Sequence, residues 1–216
     1  MNTLILAGGK STRMSSPKHL LPMPDGRPLY QHQIDLLHRS CPEAATIYVS
    51  LAHDSEMDEL LQQTSKQPQT ITPEGPSIEI IMDTETSQSK ESKGPASGIL
   101  AAFEHDPETT WLVVACDYPC ITTSALDQLK AEYRAPVTCF QNLDGFCEPL
   151  LGIWSPEAIR HLKRNCDKGK LSPSKAVKEL GGLVIIPEGD ADVVLRNVNT
   201  KEEWENSLKS MPGSWQ

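Results

Sequence analysis

Residues 4–18 read LILAGGKSTRMSSPK, and this stretch decides the fold. It opens as a short apolar run, typical of a buried first strand, and breaks into a Gly-Gly pair at residues 8–9. Glycine lacks a Cβ atom, so the backbone can turn sharply there and bring its N–H groups close to a ligand. Three cations follow, at Lys10, Arg13 and Lys18. Backbone donors and positive side chains directly after a strand indicate a site for a polyphosphate.

Two common phosphate-binding loops do not match this stretch. The P-loop pattern would place its leading glycine at Leu4, inside the strand, and the dinucleotide pattern G-x-G-x-x-G lacks its third glycine after Gly9. The stretch taken alone therefore leaves two interpretations open. One is a phosphate-binding turn, and the other is a glycine turn with a solvated basic flank.

The longer pattern Leu6-Ala7-Gly8-Gly9-Lys10-Ser11-x-Arg13-Met14-x-x-Pro17-Lys18 resembles the signature loop of nucleotidyltransferases with a Rossmann-like fold. Within them it is most similar to the MobA-like group, the molybdenum cofactor nucleotidyltransferases. The resemblance implies that Arg13 and Lys18 hold the phosphates of an NTP. It also implies that the loop around them binds the nucleotide, through Leu6, Ala7, Gly8, Gly9, Lys10 and Ser11. Ser15 stands where the family usually has glycine, and serine tolerates fewer backbone conformations.

Composition and charge narrow the class of protein. The chain has 216 residues, which suits one α/β domain over residues 1–216, and a formal net charge of −9. That charge argues against general binding to nucleic acid or to a membrane surface, so the cations of residues 10–18 are a local exception. No apolar run is long enough to span a bilayer, and the N-terminus lacks the pattern of a secretion signal. The six cysteines form no C-x-x-C pair, which predicts reduced thiols and a cytoplasmic location.

Strand-like and helix-like segments alternate along the chain, which predicts a parallel sheet with helices on both faces. After the first strand we expect strands at 46–51, 77–82, 111–116, 137–140, 150–154 and near 183–186. We expect helices at 28–39, 54–63, 99–103, 122–132, 156–165, 173–180 and from 201, with an apolar segment at 193–198 before the last one. Polar loops are expected near 64–77 and 84–94. With the resemblance, the predicted fold class is a Rossmann-like three-layer sandwich of the nucleotide-diphospho-sugar transferase type, with a mostly parallel central sheet.

Asp117 is the strongest single candidate for chemistry. It follows the apolar run Trp111 to Cys116, and open α/β sheets bind ligands at the carboxyl ends of such central strands. A carboxylate there suits Mg²⁺ beside a triphosphate, although an Asp that caps the next helix fits the residues equally well. The resemblance favours the metal, because Cys116-Asp117-Tyr118-Pro119 matches the family's metal-binding Cys-Asp-x-Pro segment.

Further site residues are implied by the resemblance. Gly94, Pro95 and Gly98 match a family segment near the base and ribose, and Asp83 matches an aspartate of the nucleotide pocket. Taken alone, the glycine segment reads as a turn before a helix. Glu148, Asn197 and Asn199 match segments that the resemblance places on the acceptor side and near the metal. From the residues alone, Glu148 could equally be a surface turn residue, and Asn199 or Thr200 could cap the last helix.

The implied reaction is attack by a phosphate oxygen of an acceptor on the α-phosphorus of an NTP, with pyrophosphate as leaving group and Mg²⁺ as cofactor. GTP is the favoured donor and molybdenum cofactor (molybdopterin) the expected acceptor. Leu20-Leu21-Pro22 and the short spacing from Arg13 to Lys18 resemble the cytidylyltransferase branch, which keeps CTP open. Two further hypotheses are a sugar-1-phosphate nucleotidyltransferase and a non-catalytic nucleotide-binding accessory protein. The sequence leaves the choice between monomer and homo-oligomer open.

Overall fold

The computed structural model describes residues 1–8, 16–53, 55–64, 66, 69–70, 75–83, 94 and 96–211, with only the backbone at 69–70. Its strands are β1 (Asn2–Leu6), β2 (Thr46–Leu51), β3 (Gln69–Thr70), β4 (Ser77–Met82), β5 (Trp111–Ala115), β6 (Val137–Gln141), β7 (Cys147–Trp154) and β8 (Leu183–Ile185). Its helices are α1 (Leu29–Ser40), α2 (Glu59–Thr64), α3 (Ala96–His105), α4 (Thr123–Ala131), α5 (Pro156–Cys166), α6 (Pro173–Glu179), α7 (Ala191–Val194) and α8 (Lys201–Ser210).

These strands form one mixed sheet of eight, in the order β3-β4-β2-β1-β5-β7-β6-β8. The centre is parallel, because β1 pairs in parallel with β2 on one side and with β5 on the other, and β2 pairs in parallel with β4. Strand β7 runs antiparallel to both β5 and β6, and β3 runs antiparallel to β4. The mostly parallel sheet predicted from the sequence is therefore confirmed, with antiparallel pairs towards its edges.

The core consists of two hydrophobic layers, one on each face of the sheet. Side chains of α1, α2, α4, α7 and α8 pack on one face, and those of α3, α5 and α6 pack on the other. Neighbouring residues of the central strands alternate between the layers, since Leu4 and Val113 belong to one and Ile5 and Val114 to the other. This alternation explains why the central strands read as continuous apolar runs.

Three element boundaries differ from the predictions. Helix α2 begins at Glu59 rather than at residue 54, because the Asp58 carboxylate accepts a hydrogen bond from Leu61 N at 2.8 Å and caps the helix there. Helix α3 begins at Ala96, so Gly98 lies inside it. Strand β7 begins at Cys147 instead of residue 150. Thr122 caps α4, and Thr200, one of the two residues expected to cap the last helix, caps α8.

Candidate active site

The sheet has a crevice at its carboxyl edge, at the point where the order of the strands reverses. The chain moves outward from β1 to β2 and β4, and then returns to β5 on the other side of β1. Adjacent connections therefore leave β1 and β5 in opposite directions, which opens a crevice at their carboxyl ends. Gly8 follows β1 and Asp117 follows β5, and Cys116 N donates to Leu6 O at 3.0 Å just before the strands separate. The two segments singled out in the sequence thus meet at this edge.

Four polar side chains form a closed ring at this edge. The ammonium of Lys18 lies 3.6 Å from Asp117 Oδ2 and donates to Asn199 Oδ1 at 2.8 Å. The Asn199 amide donates to Asn197 Oδ1 at 2.7 Å, and the Asn197 amide donates to Asp117 Oδ2 at 3.2 Å. The side chains of Lys18 and Asp117 are 17% and 24% exposed, so both charges still reach solvent. Residues 181 positions apart in the sequence are thereby joined in one site.

Local structure fixes the members of this ring. Lys18 begins a short 3-10 turn, Lys18–Leu20. The C-terminal segment is held by Val198 N, which donates to the carbonyl of Asp117 at 2.9 Å. A capping box at the start of α8 then holds the backbone of Asn199, whose N–H donates to Glu203 Oε2 at 2.6 Å. These hydrogen bonds to backbone N–H groups lower the pKa of Glu203.

The carboxylate of Asp117 fits a magnesium ion in this structure. Its Oδ2 atom takes the contacts from Lys18 and Asn197, whereas Oδ1 accepts no hydrogen bond from the residues that the structure describes. Mg²⁺ binds through one or two carboxylates and fills the remaining positions with water and substrate phosphates, so one open carboxylate oxygen suits it. Within the described residues no group of three His, Cys, Asp or Glu side chains forms a separate metal cage.

The side-chain oxygens of the two asparagines accept hydrogen bonds within the ring. Their carbonyl oxygens could have completed a magnesium shell, but Asn197 Oδ1 accepts from Asn199 and Asn199 Oδ1 accepts from Lys18. In this arrangement the two amides orient Lys18 and Asp117, and their oxygens point into the ring. Asn197 and Asn199 thus lie in the crevice beside Lys18 and Asp117.

A second polar cluster at this edge of the sheet centres on Asp83. This carboxylate is only 6% exposed and follows β4 at the same carboxyl edge. It accepts hydrogen bonds from the hydroxyls of Ser50 and Ser97, the latter at 2.8 Å, and Ser97 also donates to Gly94 O at 2.7 Å. The predicted residues Asp83 and Gly94 therefore belong to one hydrogen-bonded cluster, which Ser50 and Ser97 complete.

Two glycines let this cluster pack against β1. A Cβ atom on Gly8 would lie 2.7 Å from Ala52 N and 2.9 Å from Asp83 Oδ2. A Cβ atom on Gly98 would lie 2.5 Å from Leu6 Cδ2 and 2.6 Å from Ser50 Oγ. All four distances are much shorter than a normal van der Waals contact, so a side chain at either position would force its neighbours to shift. Of the other loop residues, Ala7 is buried. The predicted residues Gly9, Lys10, Ser11, Arg13 and Pro95 lie outside the described residues.

Glu148, which the resemblance assigns to the acceptor side, lies in β7 and not in a surface turn. Its Oε2 atom accepts a hydrogen bond of 2.5 Å from the hydroxyl of Tyr118, the residue after Asp117. Burial raises the pKa of Glu148, and the charge of Asp117 raises it further. Burial likewise raises the pKa of Tyr118, as does its hydrogen bond to Glu148. The motif that predicted Asp117 included Tyr118 without giving it a role.

Comparison with known proteins identifies the family of this chain. The family model described as "MobA-like NTP transferase domain" matches residues 3–180. The chain belongs to the MobA-like NTP transferase family. The predicted family, the nucleotidyltransferase class and the fold class are therefore confirmed.

Two curated relatives and one solved structure illustrate the similarity. The chain is 29% identical over 204 residues to the molybdenum cofactor biosynthesis bifunctional protein of Synechocystis sp., covering 93% of this chain but only 52% of that protein. It is 25% identical over 205 residues to the "probable molybdenum cofactor guanylyltransferase" of Flavobacterium johnsoniae, covering 94% of each. The crystal structure of molybdopterin-guanine dinucleotide biosynthesis protein A from Archaeoglobus fulgidus shares the fold, with a TM-score of 0.65, 19% identity and 97% coverage of each chain.

Proposed function

We propose that this MobA-like protein is a magnesium-dependent guanylyltransferase. It would join the GMP part of GTP to the phosphate of molybdenum cofactor and release pyrophosphate. One observation carries the proposal: Lys18 and Asp117, the cation of the glycine turn and the carboxylate that follows β5, lie 3.6 Å apart in one crevice at the strand-order reversal. The printed names of the curated relatives support the choice of GTP and of the acceptor.

Each residue of the crevice has a role in this reaction. The glycine turn, Lys18 and Arg13 would bind the phosphates of the nucleotide, while Asp83 and the helix that contains Gly98 would line its other end. Asp117 would hold Mg²⁺, which supplies neutralisation of the phosphate charge when it is bound. Asn197 and Asn199 keep Lys18 and Asp117 in place through the hydrogen bonds of the ring. Such alignment of two polyanions is the main requirement of this chemistry.

No general base is required for the attack. The acceptor oxygen belongs to a phosphate monoester, which is already ionised near neutral pH. Glu148 and Tyr118 would therefore shape the acceptor side instead of removing a proton. Their short hydrogen bond gives that wall a fixed form, because Glu148 lies in β7 and Tyr118 follows the neighbouring strand β5.

Pyrophosphate release tests the proposal most simply. We expect release with Mg²⁺, GTP and molybdopterin, and much less with CTP, UTP or ATP or with a sugar 1-phosphate as acceptor. Preference for CTP would move the protein to the cytidylyltransferases, and turnover of a sugar 1-phosphate would make it a sugar nucleotidyltransferase. Tight binding of magnesium and NTP without pyrophosphate from any acceptor would identify a non-catalytic binding protein.

Two variants test the assigned roles. Asp117→Asn and Lys18→Ala each remove one charged contact to the transition state, which costs about 3 kcal/mol or about a hundredfold in kcat/KM. Circular dichroism should show that both variants remain folded. Asp167→Asn and Lys175→Ala change exposed charges of the same types and should retain full activity. Full activity of either crevice variant would refute its role.

Other parts of the proposal concern the whole chain. Helix α8 packs through Trp204 on the same core as α1 and α4, which supports a single domain over residues 1–216. None of the described helices is long and apolar enough to cross a membrane. None of the six cysteines forms a disulfide bond. The cytoplasmic location remains a prediction from the cysteine pattern.

A further inference from the structure

The hairpin between β6 and β7 exposes two large hydrophobic side chains at its tip. Leu143 is 62% exposed and Phe146 is 68% exposed, more than any other large hydrophobic side chain that the structure describes. Apolar side chains exposed on a surface can belong to a binding site. We call Leu143 and Phe146 together the hairpin tip.

Hydrogen bonds of the backbone and of the Asn142 side chain hold the turn between β6 and β7. The side chains of Leu143 and Phe146 take no part in them. Asn142 N donates to Phe146 O, and Phe146 N donates to Asn142 Oδ1, both at 2.9 Å. Gly145 N donates to Asn142 O at 3.0 Å, with Gly145 at a φ of +85° that favours glycine. These polar contacts hold the turn, so its shape does not depend on the two hydrophobic side chains.

The register of the sheet places the hairpin tip beside the crevice. Strand β7 runs antiparallel to β5 with Val114 opposite Leu151, and continuing this register brings Glu148 level with Asp117. The hydrogen bond from Tyr118 to Glu148 confirms that the two segments are adjacent. Phe146 precedes Glu148 by two residues, which is about 7 Å along an extended chain and on the same side of it. The tip therefore projects from the acceptor side of the carboxyl edge.

We propose that the hairpin tip binds the ring system of the acceptor, while the acceptor phosphate lies beside the magnesium site at Asp117. The inference rests on the proposed function and adds the residues that would hold the planar heterocycle of the acceptor. A flat ring placed on Phe146 removes apolar surface of both partners from water. The side chains of Leu143 and Phe146 offer no hydrogen bond, so they would contact the ring through its face alone.

Acceptor kinetics test the subsite directly. In Phe146→Ala we expect the KM for molybdopterin to rise about tenfold, the scale of a lost ring-stacking contact, with kcat and the KM for GTP unchanged. Phe146→Trp keeps an aromatic face and should restore the wild-type KM, whereas Leu143→Ala should show a smaller rise. Ile186→Ala removes another exposed hydrophobic side chain, 50% exposed at the end of β8, and should have no effect. An unchanged acceptor KM in Phe146→Ala overturns the proposal.

A second measurement separates this inference from the proposed function. The fluorescence of 6-hydroxymethylpterin monophosphate can be titrated with the wild type, Phe146→Ala and Ile186→Ala, without any turnover. Weaker binding in Phe146→Ala alone supports the ring subsite even if the wild type releases no pyrophosphate. Equal binding by all three, or no binding by any of them, overturns it even if the guanylyltransferase activity is present. Wild-type dimers that dissociate in Phe146→Ala, with equal pterin binding, would instead assign the tip to contact between copies of the chain.

Discussion

Next to Lys18 lies a buried histidine that joins three segments of the site. His19 is 1% exposed, and its Nε2 atom donates to the carbonyl of Glu56 at 3.1 Å. The ring also packs edge-on against Tyr30 of α1. Burial lowers the pKa of His19, so the ring is neutral at neutral pH. We infer that His19 positions Lys18 by fixing the turn to which it belongs.

Substitution at His19 separates its hydrogen bond from its packing. His19→Phe keeps a ring but loses the donor to Glu56, so we expect the KM for GTP to rise about tenfold, the scale of one buried hydrogen bond. His19→Gln keeps an N–H donor and should stay close to the wild type. His161→Phe removes a histidine that contacts Glu179, away from the crevice, and serves as control. Equal KM values for His19→Phe and the wild type would contradict the positioning role.

Lys18 and Asp117 could be predicted as single residues because each lies within a continuous motif next to a strand. Ser50, Tyr118 and His19 could not be assigned roles, since their partners Asp83, Glu148 and Glu56 lie 33, 30 and 37 residues away. One usable signal was present for Ser50. It is a polar residue near the end of an otherwise apolar strand, at the edge where ligands bind.

At the scale of elements, the site depends on how closely α3 approaches β1 and β2. Gly98 makes this approach possible, because a Cβ atom there would overlap Leu6 and Ser50. Ala in a helix interior is otherwise favoured over Gly by about 1 kcal/mol. Overpacking of a buried contact costs about 1–3 kcal/mol, so the steric cost outweighs the gain in helix propensity.

We therefore expect Gly98→Ala to lower the free energy of unfolding by up to about 2 kcal/mol and to weaken GTP binding. Urea unfolding and calorimetric titration with GTP measure the two effects. Gly26→Ala is the matched control, because Gly26 has a φ of +82° and open space around it. That variant should lose about 1 kcal/mol through backbone strain and bind GTP normally. If Gly98→Ala binds GTP as well as Gly26→Ala does, the tight approach of α3 is not needed by the site.

Boundaries were hardest to predict where a tertiary contact decides them. Strand β7 begins three residues early because Cys147 and Glu148 pair with Gln141 and Phe140 of β6. Pro149, which suggested a turn, lies where the register of this pair shifts, and proline is tolerated at such irregularities. Helix α2 begins late because Asp58 caps it. The same carboxylate also accepts a hydrogen bond from the hydroxyl of Tyr30 at 2.6 Å.

At the scale of the whole molecule, acid should destabilise the fold through a buried histidine. His32 is 5% exposed in α1, and burial, together with the nearby charge of Arg27, lowers its pKa from 6.5 to about 4. The unfolded chain then binds a proton below pH 6.5 that the folded chain does not. The stability that His32 provides at neutral pH is therefore lost as the pH falls from 6.5 towards 4.

From pH 7.5 to pH 5 this linkage amounts to about 2 kcal/mol in the free energy of unfolding. His32→Gln removes the titrating group, so its stability should fall by correspondingly less over the same range. Urea unfolding of both proteins at the two pH values measures the difference. Identical losses in the wild type and in His32→Gln would show that other groups cause the acid sensitivity.

The three-layer architecture could be predicted because hydrophobic periodicity reports burial on both faces of central strands. The direction of β7 could not be predicted, because the composition of a strand does not show whether it follows a hairpin turn or a helix. The reversal matters for the site, because it brings Glu148 and the hairpin tip to the same edge as Asp117.

The central claim is that the glycine turn and Asp117 form one crevice for magnesium and a triphosphate. The magnesium dependence of GTP binding tests it most directly, by calorimetric titration of the wild type, Asp117→Asn and the control Asp167→Asn. We expect Mg²⁺ to tighten GTP binding by about tenfold or more in the wild type and in the control, and to have no such effect in Asp117→Asn. The same magnesium dependence in Asp117→Asn as in the wild type would contradict the claim.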